Sequence, residues 1–312
     1  MAQASLADLK EFPSSYDSSR ALGDVLVGGD AARLLIEAST SGDDTALQSL
    51  LSQPQWVETI LGRQHRIYSE YRPSQGPDDT RSVLAMPMLN LECVLTVAAQ
   101  NGQAAVVSTL LAFAKRQSID TSKVITRSVI NKTIESGHAA VFKALASADP
   151  NAINFSLPHG TRPLYEAARL RKPEVLVVLL ELGADPLHPV DEHDKTLGGY
   201  NSSLLSKAAF SPGPRMTELL LDRGVSIPRT GALHTAARCG YLDTMRVLMQ
   251  HGADVDEVLS SWHSWTPMHF AASKGEVDAL ALLEEYGARS DFKDDDGKTP
   301  AQLLKEHISA KH

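Results

Sequence analysis

The sequence predicts an all-α solenoid of stacked helix-turn-helix units joined by short hairpin fingers. Two observations lead there. A segment of two apolar stretches joined by a glycine turn recurs along the chain, most clearly at 230–256 and 266–291. Aligned without gaps, His234 meets His269, Ala236-Ala237 meets Ala271-Ala272, Gly240 meets Gly275, and Gly252 meets Gly287. Within each copy the apolar residues fall at helical spacing, as in Val175, Leu176, Leu179 and Leu180. A unit this short cannot bury its apolar face alone, so neighbouring units must stack.

The same template fits the rest of the chain in order. An N-terminal helical or irregular segment covers 1–29, and the repeat array covers 30–312. Units lie near 30–53, 90–114, 125–149, 160–186, 201–227, 230–256, 264–291 and 297–312. Reading the slot held by His234 along the chain gives Ile36, Thr96, Asn131, Tyr165, Ser206, His234, His269 and Gln302, with steps of 60, 35, 34, 41, 28, 35 and 33. Pro163, Thr266-Pro267 and Thr299-Pro300 mark helix starts. Proline at a first helical position sacrifices no hydrogen bond, and threonine before it can cap. Gly240, Gly252, Gly275 and Gly287 end helices in the left-handed conformation that suits glycine. The last unit turns polar at Lys305, Glu306 and His307, as a terminal cap should.

Thr266-Pro267-Met268-His269-x-Ala271-Ala272, Leu233-His234-x-Ala236-Ala237 and the Gly-Ala-Asp unit endings resemble the ankyrin family. The resemblance is specific over 160–312 and looser over 30–53 and 90–159. It implies that His234 and His269 are structural, tied with the threonine into the turn. It also implies a partner protein lying across the fingers and first helices. The family's hydroxylated finger asparagine is missing: Leu187, Asp256 and Asp291 stand in its place.

Three departures from a regular period map to loops on one face. The first is a long insertion at about 54–88, with Trp56, His65, Tyr68 and Tyr71. Its first half, WVETILGRQHRIYSEY, reads as an amphipathic helix and the whole as an extended finger, with a tolerated surface loop as the alternative. The second is the excess near 187–201. The third is Trp262-His263-Ser264-Trp265, where either both tryptophans are exposed anchors or one packs beneath the finger.

Composition narrows the function. The formal charge of −8 disfavours direct contact with nucleic acid and with anionic membrane surfaces. No stretch approaches the apolar length of a membrane span, and no signal peptide or basic cluster stands out. With two cysteines, Cys93 and Cys239, a reducing cytoplasmic or nuclear setting is expected. His188, Asp191, Glu192, His193 and Asp194 are dense enough in ligand types to weigh as a metal site. They match no recognised ligand motif, and a solvated acidic loop explains them equally. Cys239 beside Arg238 has no base in reach on sequence grounds, and no phosphate-binding glycine loop exists.

The expectation is therefore a monomeric, non-catalytic scaffold or adaptor with no cofactor and no metal, which binds one or more proteins. Its candidate surface is Glu166, Arg169, Lys207, Phe210, Thr235, Arg238, Trp262, Trp265, Phe270, Ser273 and Lys274. Phe210, Phe270 and the two tryptophans are expected as exposed anchors, ringed by the basic residues. The alternatives are a metal-dependent or regulatory protein using 187–194, and a chromatin- or transcription-associated adaptor acting through another protein.

Overall fold

The computed structural model describes residues 29–61, 63–68, 84–157, 161–187, 203–259 and 262–310. Among these the chain forms helix pairs in two layers. The pairs are α1 (Gly29–Ser41) with α2 (Asp44–Leu51), α4 (Asn90–Gln100) with α5 (Ala104–Arg116), and α6 (Arg127–Ser136) with α7 (Ala139–Ala148). They continue with α8 (Pro163–Arg169) and α9 (Pro173–Glu181), α10 (Leu204–Ala209) and α11 (Arg215–Leu221), α12 (Ala232–Arg238) and α13 (Leu242–Gln250), and α14 (Pro267–Lys274) and α15 (Val277–Glu285). A last helix, α16 (Pro300–Ala310), packs on α14. First helices contact first helices and second helices contact second helices from one unit to the next.

Local chemistry sets the helix ends. Thr266 caps α14 with Pro267 at its first position, and Gly275 stops it at φ 75°. Pro163 opens α8 in the same way. The turns inside units pass through left-handed glycines such as Gly42, Gly102, Gly137 and Gly240. Over Gly102, Gly137 and Gly275 lies a side chain from the next unit: His138, Lys172 and His307 respectively. These close approaches fix neighbouring units in register even where the helix-start signature is weak.

One apolar core runs from Leu35 to Leu283 through every pair. Helix α4 is buried continuously from Leu91 to Ala99. A helix apolar all round must be covered all round, and α1, α3, α5 and α6 cover it. Full burial of a leucine such as Leu95 or Leu110 contributes about 2–3 kcal/mol.

The first half of the 54–88 insertion, read as one amphipathic helix over 56–71, is helical only as far as Leu61. Helix α3 (Pro54–Leu61) buries Ile60 and packs on α2 and α4. Strand β1 (Arg63–Tyr68) then pairs antiparallel with β2 (Leu84–Leu89), from Arg63↔Leu89 to Tyr68↔Leu84. Both strands are edges, which is why Pro87 is tolerated opposite His65. Tyr71 and residues 73–79 lie outside the described residues, as do 1–28.

Candidate partner-binding surface

The proposed anchors divide between surface and core. Phe210 is 40% exposed at the C-cap of α10. Phe270 is buried, contrary to expectation, and so is Thr235. The reason for Phe270 is the finger before α14. Leu259 bridges to Trp265, and His263 and Ser264 turn the chain through left-handed φ angles of 50° and 55°. The finger thereby folds over α14. Trp265 meets Phe270 edge-on at 5.1 Å, Trp262 lies at 5.7 Å, and His234 closes the far side at 5.5 Å. Trp265 itself is half-buried, so of the two tryptophans Trp262, 37% exposed, is the more open. Thr235 is covered because its hydroxyl meets that of Ser206 on α10 at 2.8 Å.

The two repeat histidines are held differently. His269 Nδ1 accepts the Thr266 N–H (3.2 Å), which places the ring proton on Nε2, facing the Lys298 carbonyl at 3.2 Å. For His234 the threonine is one residue too early. Thr230 donates to the Ile227 carbonyl, and Gly231 at φ 67° takes the cap position of α12. His234 Nε2 meets the Glu257 carbonyl at 2.8 Å, as His269 Nε2 meets that of Lys298. Burial pushes the His234 pKa down to about 4, against the raising effect of that carbonyl, and lowers that of His269 as well.

The remaining candidates line the first-helix side of the late units. Arg169 ion-pairs with Glu166 at 2.6 Å, which removes both as free charges. Lys207 and Phe210 end α10, Arg238 ends α12, and Ser273 and Lys274 end α14. Cys239, next to Arg238, is half-buried; burial pushes its thiol up, while the positive charges of Arg238, Arg171 and Lys274 oppose this. A thiol held protonated is a poor nucleophile. One participant was not foreseen: Arg171, whose guanidinium lies 4.1 Å from the centre of the Phe210 ring. Its signal in the sequence is an arginine standing in the column that five other units fill with glycine, at Gly42, Gly102, Gly137, Gly240 and Gly275. It adopts φ 55°, a conformation costing a non-glycine residue on the order of 1 kcal/mol.

Among the described residues no three His, Cys, Asp or Glu side chains gather as a metal site would require. His188, Asp191, Glu192, His193 and Asp194 lie outside the described residues. No described helix is long and apolar enough to cross a membrane.

The family profile "Ankyrin repeats (3 copies)" matches residues 233–304, from within α12 into the first half of α16. The stacked pairs also superpose on the human ASB11 ankyrin repeat domain, with TM-score 0.55 and 27% identity, over 70% of this chain and 97% of that one. This chain is an ankyrin-repeat protein. The ankyrin repeat domain of Bcl-3 gives a TM-score of 0.52 at 21% identity over 68% of this chain and 96% of that one, a likeness of fold. In sequence, human protein phosphatase 1 regulatory subunit 27 is 37% identical over 23% of this chain and 46% of its own length. The Caenorhabditis elegans ankyrin repeat and KH domain-containing protein mask-1 is 25% identical over 80% of this chain and 10% of its own. The chain thus spans less than half the length of these curated relatives. Ankyrin repeats are generally protein-binding modules.

Proposed function

We propose that the chain is a non-catalytic scaffold or adaptor that holds a partner protein on the concave face of its ankyrin array, against the first helices of the late units. One observation carries this reading. The inward slots of α8, α10, α12 and α14 repeat the same residues, Ala167-Ala168, Ala208-Ala209, Ala236-Ala237 and Ala271-Ala272, all buried. The slots beside them differ from copy to copy: Arg169, Phe210, Arg238 and Ser273, none of them buried. Packing demands the first set. Nothing in the packing demands that the second set vary, and a surface for one specific partner would. An exposed aromatic ringed by cations is also the kind of group that concentrates binding energy.

The test is affinity capture from native lysate followed by cross-linking. Wild type is compared with Phe210→Ala/Arg238→Glu and with Arg246→Ala, an exposed second-layer control. Circular dichroism checks folding of all three. A protein held by wild type and the control but lost by the double variant, with cross-links on α10 and α12, supports the reading. Equal retention by all three would place the partner elsewhere.

A further inference from the structure

Arg171 is costly to the fold. It occupies the turn between α8 and α9 in a left-handed conformation, where five other units use glycine. Another exception is the α10–α11 turn, which holds Pro212. The next unit supplies Gly213 where others place Gln103, His138, Lys172 or Glu276 over the preceding turn. That position of the next unit therefore sends no side chain over Arg171, whose guanidinium lies 4.1 Å from the centre of the exposed Phe210 ring. A guanidinium stacked on a ring keeps its N–H edge free for a carboxylate.

Two further cations follow along the stack. Arg238 and Lys274 are the last residues of α12 and α14, and neither makes an ion pair among the described residues. Together with Arg171 they act on one thiol, that of Cys239, with Glu276 as the opposing carboxylate. A cation in a helix's last turn suits the negative end of the helix dipole, which accounts for Arg238 and Lys274 without any ligand. It does not account for Arg171, which lies outside a helix in a conformation that disfavours a side chain.

We propose that Arg171 and Phe210 anchor a surface, continued by Arg238 and Lys274, that takes an extended acidic segment of a partner protein carrying an apolar residue. The inference rests on the scaffold reading and names its partner's chemistry. Packed helices lie roughly 8–10 Å apart, so the row from α8 to α14 spans roughly 25–30 Å, about eight residues of extended chain. The apolar residue meets Phe210, and carboxylates meet the three cations. A peptide fits better than nucleic acid, because the chain's net charge of −8 repels a long polyanion while a short segment feels the local cations.

The probe is a phage-displayed library of random 12-residue peptides panned on the 312-residue chain. The best binder is then measured by fluorescence anisotropy. Expected are sequences enriched in Asp and Glu around one apolar residue, weakened at least tenfold by Arg171→Gly. That variant should melt no lower than wild type, because glycine suits the turn. Enriched peptides that are neutral or basic, or that bind Arg171→Gly as well as wild type, overturn the inference while the scaffold reading stands. No enrichment over uncoated support would count against both. A 20-base-pair DNA duplex that binds more tightly than the peptide, with the same Arg171 dependence, would also overturn it.

Discussion

Trp265 Nε1 donates to Asp294 Oδ2 over 3.0 Å, and through this bond the finger before α14 and the finger before α16 brace each other. Asp294 also accepts the backbone N–H groups of Asp296 (3.0 Å) and Lys298 (2.8 Å), and the Asp295 N–H reaches the His263 carbonyl at 3.0 Å. Burial raises the Asp294 pKa, but those three N–H donors outweigh it and the carboxylate is held below its usual range. The tryptophan finger is therefore part of the terminal unit's framework.

Phe270→Ala should destabilise the array by about 3–5 kcal/mol, the cost of emptying a buried aromatic site. Trp265→Phe, which keeps a ring over Phe270 but drops the donor, should cost roughly 1–2 kcal/mol. Solenoids can unfold unit by unit, so hydrogen exchange is the measurement, with protection lost first over 262–310. Native protection in Phe270→Ala would mean that the ring is a surface group after all.

The regular part of this fold was legible because its rules are local. Proline opens α8, α14 and α16, left-handed glycines follow α12 and α14, and paired alanines recur in α8, α10, α12 and α14. What misled was the residue after the repeat histidine. In α8 and α10 that slot holds Glu166 and Lys207, neither buried, so Phe270 in the same slot looked like an anchor. Its burial depends on a finger folding back over it, and two consecutive left-handed residues, His263 and Ser264, leave no periodic trace. The β1–β2 pairing was hidden for a similar reason, since the apolar helical pattern of α3 runs up to it and its partner strand begins only at Leu84.

Thr266→Ala should cost about 1–2 kcal/mol, the usual range for a lost helix cap. The Thr266 hydroxyl lies 2.8 Å from His269 Nδ1 in the capping arrangement of α14. Thr230→Ala should cost less, because Thr230 bonds to the Ile227 carbonyl and Gly231 holds the cap position. Urea denaturation of the two variants side by side checks this. Equal losses would show that the one-residue shift of threonine in the α12 unit has no consequence.

Acid should weaken the fold from near pH 6.5 downward. His234 is neutral in the folded chain until about pH 4, against an ordinary value of 6.5. Between those values the unfolded chain binds the proton and the folded chain does not, so stability rises with pH there. The contribution is complete above pH 6.5 and is lost as pH falls through about 4, with a size on the order of 3 kcal/mol. His269 acts in the same sense. The Asp294 contribution is present above 3.8 and is lost below that, in a later window. Urea midpoints from pH 7.5 to 4.5 should fall for wild type and fall less steeply for His234→Gln. Parallel curves would mean that His234 is not the group that titrates.

Two glycines with nearly the same backbone should respond differently to alanine. Gly287 at φ 86° has no atom within 4 Å of where a Cβ would stand, so Gly287→Ala carries only the strain of the left-handed conformation, about 1 kcal/mol. Gly275 at φ 75° has the His307 ring 2.8 Å from that point, so Gly275→Ala adds the same strain and must also displace His307. His307 belongs to α16, whose packing on α14 covers the last first-layer helix. The two effects separate by location. Gly287→Ala should lower global stability with α16 protected from exchange as in wild type. Gly275→Ala should release α16 while α8 to α12 keep their protection. If α16 exchanges alike in both variants, His307 yields without loosening the cap, and the glycine is needed only for its backbone angle.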